Sequence, residues 1–498
     1  MNLTLDPGVL SAARAAIRFR TQAFIDGKFT PAAGGKTYTS VNPANGQPLA
    51  EMADCGPEDV ETAVRAARRA FQSGTWSKRK PTDRKDAMLK FVELLEQNAL
   101  ELALLDCLDA GKPIADCVAI DLPDTIHCIR WHAELIDKLY ERAAPSGPDV
   151  VSLIVREPIG VVACILPWNF PIQMMAWKIG PALAAGNSVV LKPARQTALS
   201  ALRTAELAAE AGIPSGVFNV VPGAGSVLGP ALCRHMDVDM AAFTGSTSVG
   251  RDLLRYSAES NLKRIILELG GKNPQVVLED ADLDNAAPHV VNAAFWNMGE
   301  NCSAGSRLIV HRRVKDALLE KVLALTAAWT VGDPLDPATR VGPLIERAHM
   351  LTVLEYIDKG KHEGARLVVG GRQVLQETGG YFVEPTIFDD ATNAMTIARK
   401  EIFGPVLAVI PVDSDEEAIA VANDTNYGLA ASLHTRDIGK AHRFAREIRA
   451  GVVAVNCFGE GDLTTPFGGF KESGFFGRDK SSYAQEQYTE LKTVWMQL

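Results

Sequence analysis

Hydrophobic positions in the first part of the chain recur at the spacing of amphipathic helices. Over residues 57–71 one face is apolar, the other carries acidic and basic side chains, and Gly74 follows where such a helix would end. A second helical pattern spans residues 83–107. The apolar positions of the first pattern are Val60, Val64, Ala67 and Phe71. We therefore predict helices over 57–71 and 83–107.

From residue 161 onwards, short apolar runs alternate with helical patterns such as those at 197–210 and 249–257. This alternation is typical of a parallel sheet that is covered by helices on both faces. Ligands of such sheets bind at the carboxyl ends of the strands. The predicted strands are VVACIL (161–166), SVVLK (188–192), VFNVV (217–221), MAAFT (240–244) and RIILEL (264–269).

A second α/β region is predicted over residues 271–469, with strand candidates at 306–311 and 452–456. Two further segments, 146–159 and the carboxyl-terminal YTELKTVWMQL, also have the character of strands. They could form a sheet between subunits, although strands within one subunit would have the same pattern. The sequence alone leaves both alternatives open.

Composition narrows the class of protein. The chain has 498 residues, enough for two or three domains, and a net charge of -9, which argues against nucleic acid or an anionic membrane as the main partner. No apolar run approaches the roughly 18 residues of a membrane span. The first residues lack a basic segment followed by an apolar core, so we expect a cytoplasmic protein.

The cysteines and histidines do not predict a metal site. Eight cysteines are scattered along the chain, no CxxC pair occurs, and no histidine pair has ligand spacing. Most of the cysteines should be reduced and inert, because a long cytoplasmic chain does not depend on a disulfide framework. If one cysteine has a function, a nucleophile is the expected role.

Two glycine-rich loops could bind phosphate. The loop 223–229 lacks the dinucleotide spacing GxGxxG, and the loop 243–250 lacks the Lys-Ser/Thr ending of a P-loop. Gly245 and Ser246 nevertheless stand between a strand and a helix, where free N–H groups and the helix dipole attract an anion. A pyrophosphate could bind there, or the segment could be an ordinary turn.

Glu268 and Cys302 have unusual surroundings. Glu268 ends an apolar strand, where burial would raise the pKa of its carboxyl, and Gly270 and Gly271 after it allow close approach by a ligand. Cys302 lies in a loop of small residues, where a thiol is more accessible than in an apolar element. Taken alone, Glu268 could face solvent and Cys302 could be inert.

Seven ordered motifs together indicate a family. They closely resemble the aldehyde dehydrogenase superfamily, and the resemblance extends from Phe24 to the last predicted strand. The motifs are Pro167–Pro171 (PWNFP), Lys192-Pro193, Phe243–Ser246 (FTGS), Leu267–Gly271 (LELGG), the Cys302 loop, Glu401–Pro405 (EIFGP) and Pro466–Gly469 (PFGG).

The resemblance implies an α/β fold with three parts. A Rossmann-like cofactor domain would comprise residues 1–145 and 160–270, and an α/β catalytic domain residues 271–470. Residues 146–159 and 471–498 would form a small bridging β element that joins subunits into a homodimer or homotetramer. This makes the intersubunit alternative for the two strand-like segments the stronger one.

The resemblance also implies the catalytic groups. Cys302 would be the nucleophile and Glu268 the base, with the Asn169 amide and the Cys302 backbone N–H as the oxyanion hole. The aldehyde would form a thiohemiacetal, lose hydride to NAD(P) and leave as an acid after hydrolysis of a thioester. No metal is required. The implied cofactor-binding residues are Trp168, Lys192, Arg195, Gly225, Gly229, Phe243, Gly245, Ser246, Leu269, Glu401 and Phe403.

Arg195 departs from the common pattern, because many NAD-preferring members have a glutamate at this position. A carboxylate there repels the 2′-phosphate of NADP, whereas a guanidinium can pair with it. NAD is the expected cofactor and NADP a possible one, unless Arg195 points into solvent and has no effect.

Several positions resemble the aminoaldehyde branch of the family, whose members oxidise ω-amino or γ-glutamylamino aldehydes from polyamine catabolism. Aromatic rings of the tunnel would hold a cationic tail, and carboxylates would attract it. The loop 459–462 is similar to that of γ-glutamyl-γ-aminobutyraldehyde and guanidinobutyraldehyde dehydrogenases and contains no Arg or Lys. The implied substrate residues are Asp121, Asp124, Phe170, Trp177, Trp296, Glu460, Asp462 and Phe467.

Alternatives to this function remain. The acidic residues could belong to an ordinary solvated surface, and the enzyme could be a broad-specificity or semialdehyde dehydrogenase. A CoA-acylating mechanism is disfavoured because such members typically lack the base that Glu268 supplies. A non-catalytic structural or binding protein on the same fold is disfavoured because Cys302, Glu268 and Asn169 are all present.

Overall fold

In a computed structural model, residues 5–498 form two large sheets, a three-stranded sheet and two hairpins. The first sheet has five parallel central strands with antiparallel strands at its edges. In spatial order its strands are Lys28–Thr30, Ala23–Ile25, Phe218–Val220, Ser188–Lys192, Val161–Ile165, Met240–Thr244, Arg264–Glu268 and Gly474–Phe475.

The first sheet is buried on both faces, as its continuous apolar runs predict. Along the central strand Val161–Ile165, alternate side chains pack into different hydrophobic clusters: Val162 and Cys164 into one, Ala163 and Ile165 into the other. The helices on the two faces are Pro7–Ala16, Pro57–Ser73, Pro81–Gln97, Ala99–Ala110, Leu122–Leu135, Pro171–Ala184, Leu199–Glu210, Gly225–Arg234 and Thr247–Ala258.

The predicted helix over 57–71 is confirmed, and Gly74 ends it with a positive φ of 76°. The prediction of one helix over 83–107 is wrong, because Asn98 separates Pro81–Gln97 from Ala99–Ala110. The Asn98 side chain donates from Nδ2 to the Leu94 carbonyl oxygen at 2.7 Å and accepts from Arg203 Nη2 at 2.9 Å. These bonds stabilise the interruption.

The second sheet begins immediately after the first, since Pro274 follows Glu268 by one short loop. Its central strands are parallel, and only the edge strand Arg366–Val369 is antiparallel. In spatial order the strands are Arg366–Val369, Thr386–Asp389, Val406–Val412, Arg307–His311, Pro274–Val277, Ala430–His434 and Val452–Val455. Its helices are Leu283–Phe295, Arg312–Thr326, Arg347–His362, Thr396–Arg399, Asp415–Asn423 and Ile438–Glu447.

The three-stranded sheet joins the end of the chain to an earlier segment. Thr489–Gln497 pairs antiparallel with Val150–Pro158, which also pairs with Arg142–Ala144. The segment 471–498 is therefore divided, because Gly474–Phe475 lies in the first sheet and the helix Ser481–Gln487 packs on Pro171–Ala184. The role of the three-stranded sheet in joining subunits stays a prediction.

The remaining elements are short. Two hairpins pair Thr37–Asn42 with Gln47–Ala53 and Gln373–Val374 with Phe382–Val383. Within residues 5–498, no helix combines the length and hydropathy needed to cross a membrane.

Candidate active site

The carboxyl edge of the first sheet gathers residues from four neighbouring strands. Parallel pairing sets Ile165 opposite Lys192 and Thr244 opposite Glu268, so these strands end at one level. The loops that follow carry the predicted site residues Trp168 and Asn169, Gly245 and Ser246, and Leu269. This is the edge at which parallel sheets bind ligands.

A cavity of about 240 Å³ lies at this edge. It brings together one predicted catalytic amide, the predicted nucleophile and six of the predicted cofactor residues. It also contains Met174, Thr244 and His349, which were not among the predicted residues. The predicted residues in the cavity wall are Trp168, Asn169, Gly245, Ser246, Leu269, Cys302, Glu401 and Phe403.

The loop that carries Cys302 is held in a strained conformation. Asn297 and Met298 have positive φ angles of 53° and 58°, which non-glycine residues adopt at a cost. The Cys302 carbonyl oxygen accepts from Asn273 Nδ2 at 2.8 Å. A Cβ atom on Gly271 would lie 2.4 Å from that oxygen, so only glycine fits there.

Cys302 differs from most of the other cysteines. Six of the eight are buried, and burial raises the pKa of the Cys164 thiol to about 12. Cys302 is half-buried and lines the cavity. Its pKa is also raised, first by burial and then by the carboxylates of Glu460 and Glu401. The thiol therefore needs a base to form the nucleophilic thiolate.

Asn169 is fixed at the edge of the cavity by its hydrogen bonds. Its Nδ2 donates to the Glu300 carbonyl oxygen at 2.9 Å, and Asn297 Nδ2 donates to the Asn169 carbonyl oxygen at 3.0 Å. An amide nitrogen carries two hydrogens, so one remains available to a bound oxyanion. Such a preoriented donor is the requirement for an oxyanion hole.

Glu268 is buried, and within residues 5–498 neither carboxylate oxygen has a hydrogen-bond partner. Its side chain lies against Gly468 and Gly477, where a Cβ atom would approach Oε1 to 2.7 and 2.9 Å. Burial raises the pKa of Glu268 well above its usual value, and Asp479 raises it further, while Lys178 lowers it. A carboxyl with a raised pKa is suited to act as a general base near neutral pH.

A buried ion pair stands beside Glu268. Lys178 Nζ donates to Asp479 Oδ2 at 2.7 Å, and both side chains are almost fully buried. Neither residue was predicted from the sequence. Lys178 is the only charged residue in the helix Pro171–Ala184, and this was the available signal, because a buried lysine requires a partner.

Glu401 reaches across the two glycines that follow Glu268. Its Oε1 accepts from the Gly271 backbone N–H at 2.9 Å, and a Cβ atom on Gly270 would clash with the carboxylate. The sequence suggested that these glycines admit a ligand, whereas the group that approaches Gly270 is Glu401. Burial raises the pKa of Glu401 to about 7.

An aromatic wall closes the cavity opposite Cys302. The ring centroids of Trp168 and Phe403 are 5.2 Å apart, and those of Trp168 and His349 are 5.4 Å apart. His349 Nε2 bonds to the Phe403 carbonyl oxygen at 2.6 Å, which fixes Phe403 at a positive φ of 58°. A flat ring, such as nicotinamide, fits against this wall.

The amino end of the helix Thr247–Ala258 is suited to an anion. Ser246 caps the helix, with its hydroxyl oxygen accepting from Val249 N at 3.4 Å, and the side chain is exposed. Free backbone N–H groups and the helix dipole favour a phosphate there. Phe243 is buried in the core and packs against Gly245, so it shapes the turn without lining the cavity.

Lys192 stands farther along the same edge. It is buried, burial lowers the pKa of its ammonium to about 8, and no hydrogen-bond partner is present within residues 5–498. A Cβ atom on Gly225 would lie 3.5 Å from Nζ, and one on Gly229 would meet nothing within 4 Å. An unpartnered buried cation beside two open glycines fits the polar part of a dinucleotide.

Arg195 is held by protein groups. Its Nη2 lies 3.3 Å from Asp54 Oδ2, and its guanidinium stands 4.6 Å from the Tyr38 ring centroid. About half of the side chain remains exposed. Arg195 therefore does not simply point into solvent, and a 2′-phosphate would have to compete with Asp54 for it.

A second cavity, of about 490 Å³, lies beyond the Cys302 loop. Glu460 connects the two sites, because Ser303, the neighbour of Cys302, donates its hydroxyl hydrogen to the Glu460 carboxylate. The predicted substrate residues in its wall are Asp124, Trp177, Trp296 and Glu460. Charged residues that were not predicted also line it, namely Asp116, Arg340 and Lys480.

Cations of the protein lie near three of the four rings that the resemblance assigns to a cationic tail, and the substrate role of these rings stays a prediction. Lys480 Nζ stands 5.1 Å from the Trp177 ring centroid and 5.5 Å from that of Phe467. Lys112 Nζ lies 3.8 Å from the centroid of Phe170. Of these four rings, Trp296 lines the cavity and has no such cation beside it within residues 5–498.

Two predicted carboxylates do not face the cavity. Asp121 is fully buried in an ion pair with Lys112, although the resemblance implied that it binds the substrate. Asp462 is exposed, and its carboxylate accepts from Thr464 N at 2.8 Å within its own turn. The expectation for Asp121 is wrong, because its carboxylate is buried and paired with Lys112, whereas the role of Asp462 stays a prediction.

The expected absence of basic residues holds for the loop 459–462 but not for the cavity. Arg340 and Lys480 reach its wall from segments remote from that loop. Asp124 accepts from Gln173 Nε2 at 2.9 Å and from Trp177 Nε1 at 2.7 Å, which fixes one carboxylate at the cavity. The wall thus combines both signs of charge with aromatic rings.

Comparison with known proteins identifies the family. The model of the aldehyde dehydrogenase family matches residues 29–494, nearly the whole chain. The chain belongs to the aldehyde dehydrogenase family. The resemblance read from the motifs is thereby confirmed, and so is the predicted fold. An aldehyde dehydrogenase of this family oxidises an aldehyde to the acid with NAD(P).

Three relatives are similar along their full lengths. Aminoacetaldehyde dehydrogenase of Pseudomonas aeruginosa is 58% identical over 487 residues, 98% of this chain and 97% of that protein. The solved γ-glutamyl-γ-aminobutyraldehyde dehydrogenase of Burkholderia cenocepacia is 52% identical with a TM-score of 0.97, covering 100% of both chains. An indole-3-acetaldehyde dehydrogenase solved with NAD+ is also 52% identical over 100% of both chains, with a TM-score of 0.98.

Proposed function

We propose that this aldehyde dehydrogenase oxidises an aldehyde with a nitrogen-containing tail, namely an ω-aminoaldehyde or its γ-glutamylamino or guanidino relative. The observation that carries the proposal is the second cavity, where Asp116, Asp124 and Glu460 place three carboxylates within reach of the Cys302 loop. Two of the three similar relatives are named for substrates of this class. A cationic or amide nitrogen would find acceptors at this wall.

In the first chemical step, Cys302 attacks the aldehyde carbonyl. The thiol proton passes to Glu268, the sulfur–carbon bond forms, and the carbonyl oxygen becomes an alkoxide. That oxygen accepts hydrogen bonds from Asn169 Nδ2 and from the Cys302 backbone N–H. Loss of one such donor costs about 3 kcal/mol of transition-state stabilisation, a factor of roughly a hundred or more in kcat.

The second step breaks the aldehyde carbon–hydrogen bond and leaves a thioester on Cys302. The bound nicotinamide supplies the hydride acceptor. Glu268 gives the thiol proton up to solvent and then takes a proton from water, whose oxygen attacks the thioester. The Cys302 thiolate leaves and regains a proton as the acid is released. Trp168 and Phe403, whose rings line the cavity, would confine the nicotinamide ring.

The dinucleotide would lie along the carboxyl edge of the first sheet. Glu401 would hold the ribose of the nicotinamide half, Ser246 and the helix behind it the pyrophosphate, and Lys192 the ribose of the adenine half. Gly225 and Gly229 leave room for the adenine half. We propose NAD as the main cofactor and NADP as a usable one, since Arg195 lies near the adenine end and half of it is exposed.

The cellular setting follows from the same proposal. Amines released in polyamine catabolism yield aldehydes of this class, and we place the enzyme in the cytoplasm. We further propose a homodimer or homotetramer, because the strand Thr489–Gln497 forms an edge of the three-stranded sheet and exposes Leu491 and Trp495. Exposed apolar groups on an unpaired edge strand favour a partner.

The test is a panel of aldehydes assayed with the purified enzyme and both cofactors. We expect kcat/KM for 3-aminopropanal, 4-aminobutanal or their γ-glutamyl and guanidino relatives to exceed that for hexanal, indole-3-acetaldehyde and succinic semialdehyde. A clear preference for hexanal or indole-3-acetaldehyde would contradict the proposal. Such a result would favour an apolar substrate bound against Trp296.

A further inference from the structure

The second cavity contains charges of both signs that are not paired with each other. Arg340 and Lys480 line it together with Asp116, Asp124 and Glu460, and no salt bridge within residues 5–498 joins any of them. Charges left unpaired in a cavity wall are free to pair with a ligand. A tail with only an amine would use the carboxylates and leave the cations without a partner.

Arg340 is the cation best placed to receive a ligand. Its guanidinium stands 5.1 Å from the ring centroid of Trp329, and the side chain is otherwise exposed. Stacking on an aromatic ring orients the planar group and reduces the entropy lost on binding. Lys480 is unlike it, because its ammonium is buried, donates to the Glu460 carbonyl oxygen at 2.8 Å and contacts two rings.

Asp116 is the neighbouring carboxylate. It lies on the short helix Ile114–Asp116 and lines the same cavity as Arg340. Burial raises the pKa of Asp116 to about 6, while the charges of Lys112 and Arg340 lower it. The carboxyl is therefore largely ionised at neutral pH, and a cation and an anion both line the cavity wall.

We propose that Arg340 and Asp116 bind the α-amino acid end of the substrate tail, with Arg340 donating to its carboxylate and Asp116 accepting from its ammonium. The proposal rests on the proposed function and narrows it. Among nitrogen-containing aldehydes, the enzyme would prefer a γ-glutamyl conjugate, whose far end is such a zwitterion, to the free ω-amine. The aldehyde end would reach Cys302 past Glu460 and Trp296.

Three aldehydes of equal chain length distinguish the contribution of the α-carboxylate from that of the α-ammonium. One is γ-glutamyl-γ-aminobutyraldehyde, the second lacks its α-carboxylate, and the third lacks its α-ammonium. We expect the wild-type enzyme to show the highest kcat/KM with the first. The variants are Arg340→Gln and Asp116→Asn, and the control is Arg372→Gln, which removes an exposed arginine that pairs with Glu384 far from the cavity.

Each variant should lower the kcat/KM, relative to that for propanal, of a different pair of the three aldehydes. Arg340→Gln should lower kcat/KM, measured relative to propanal, by about five- to tenfold for the two aldehydes that carry the α-carboxylate and not for the one that lacks it. Asp116→Asn should do the same for the two with an ammonium. The fall in kcat/KM should come from a higher KM with little change in kcat. Arg372→Gln should leave the kcat/KM of all three aldehydes relative to propanal unchanged.

Two outcomes would overturn the inference. One is equal use of the three aldehydes by the wild-type enzyme with no selective effect of either variant. The other is a loss in Arg340→Gln that is the same for all three. If 4-aminobutanal is still preferred to hexanal in those cases, the proposed function stands and only the zwitterion site fails. If hexanal is preferred to every nitrogen-containing aldehyde, both fail.

Discussion

The buried Lys178–Asp479 pair allows a test of how the protein sets the pKa of its base. The two side chains are 0% and 2% exposed, so solvent screens their interaction very little. Lys178→Met leaves the Asp479 carboxylate buried without its partner. Such a loss costs about 3–5 kcal/mol of folding free energy, and exchanging both partners for apolar residues costs far less.

We therefore expect the effects of the two single substitutions on stability not to add in the double variant. Lys178→Met and Asp479→Leu should each lower Tm markedly, and the double variant should recover at least half of the loss. Differential scanning calorimetry at one protein concentration measures this. If the double variant loses the sum of the two single losses, the pair is not coupled and the structural account of it is refuted.

The same pair should shift the pH profile in opposite directions. Glu268 acts as a base only when it is ionised, so the deacylation rate rises with pH through its pKa. Lys178 lowers that pKa and Asp479 raises it. The rising limb should move to higher pH in Lys178→Met and to lower pH in Asp479→Asn. Shifts of the same sign in single-turnover deacylation rates would contradict the electrostatic explanation.

Two further predictions concern specificity. Arg195→Glu should raise the NAD/NADP ratio of kcat/KM, because a carboxylate repels the 2′-phosphate. Asp54→Asn, which frees Arg195 from its partner, should lower that ratio. An unchanged ratio in both variants would rule out a role for this pair in cofactor selection. Asp121→Asn should lower Tm by unpairing the buried Lys112, whereas Asp124→Asn should raise KM for aminoaldehydes relative to hexanal. Equal effects of the two asparagine variants on KM would contradict these placements.

The central strands could be predicted because their signal is local. The runs at 188–192 and 240–244 are apolar throughout and end at Pro193 and Gly245, and the observed strands have the same bounds. The break at Asn98 could not be predicted in this way. One of the bonds that hold it comes from Arg203, which only the tertiary structure brings near.

The cavity at Cys302 was also predicted well, since seven motifs in order define one family and the sheet edge collects them. The second cavity was predicted less well. Its charge depends on Arg340 and Lys480, which come from segments far from the loop 459–462. Asp121 was misplaced because the π-helical segment Cys117–Asp121, which its sequence pattern did not reveal, turns the carboxylate inward to the buried Lys112.

The central claim is that catalysis proceeds through a covalent thioester on Cys302 that Glu268 helps to hydrolyse. The most direct measurement is intact-protein and peptide mass spectrometry of Glu268→Gln mixed with NAD and an aminoaldehyde, with Cys302→Ala as the control. In Glu268→Gln we expect the Cys302 peptide to carry the added mass of the acyl group. In Cys302→Ala we expect no added acyl mass and no turnover, while NAD binding is retained. Turnover by Cys302→Ala at an ordinary rate, or acylation at a different residue, would contradict the account.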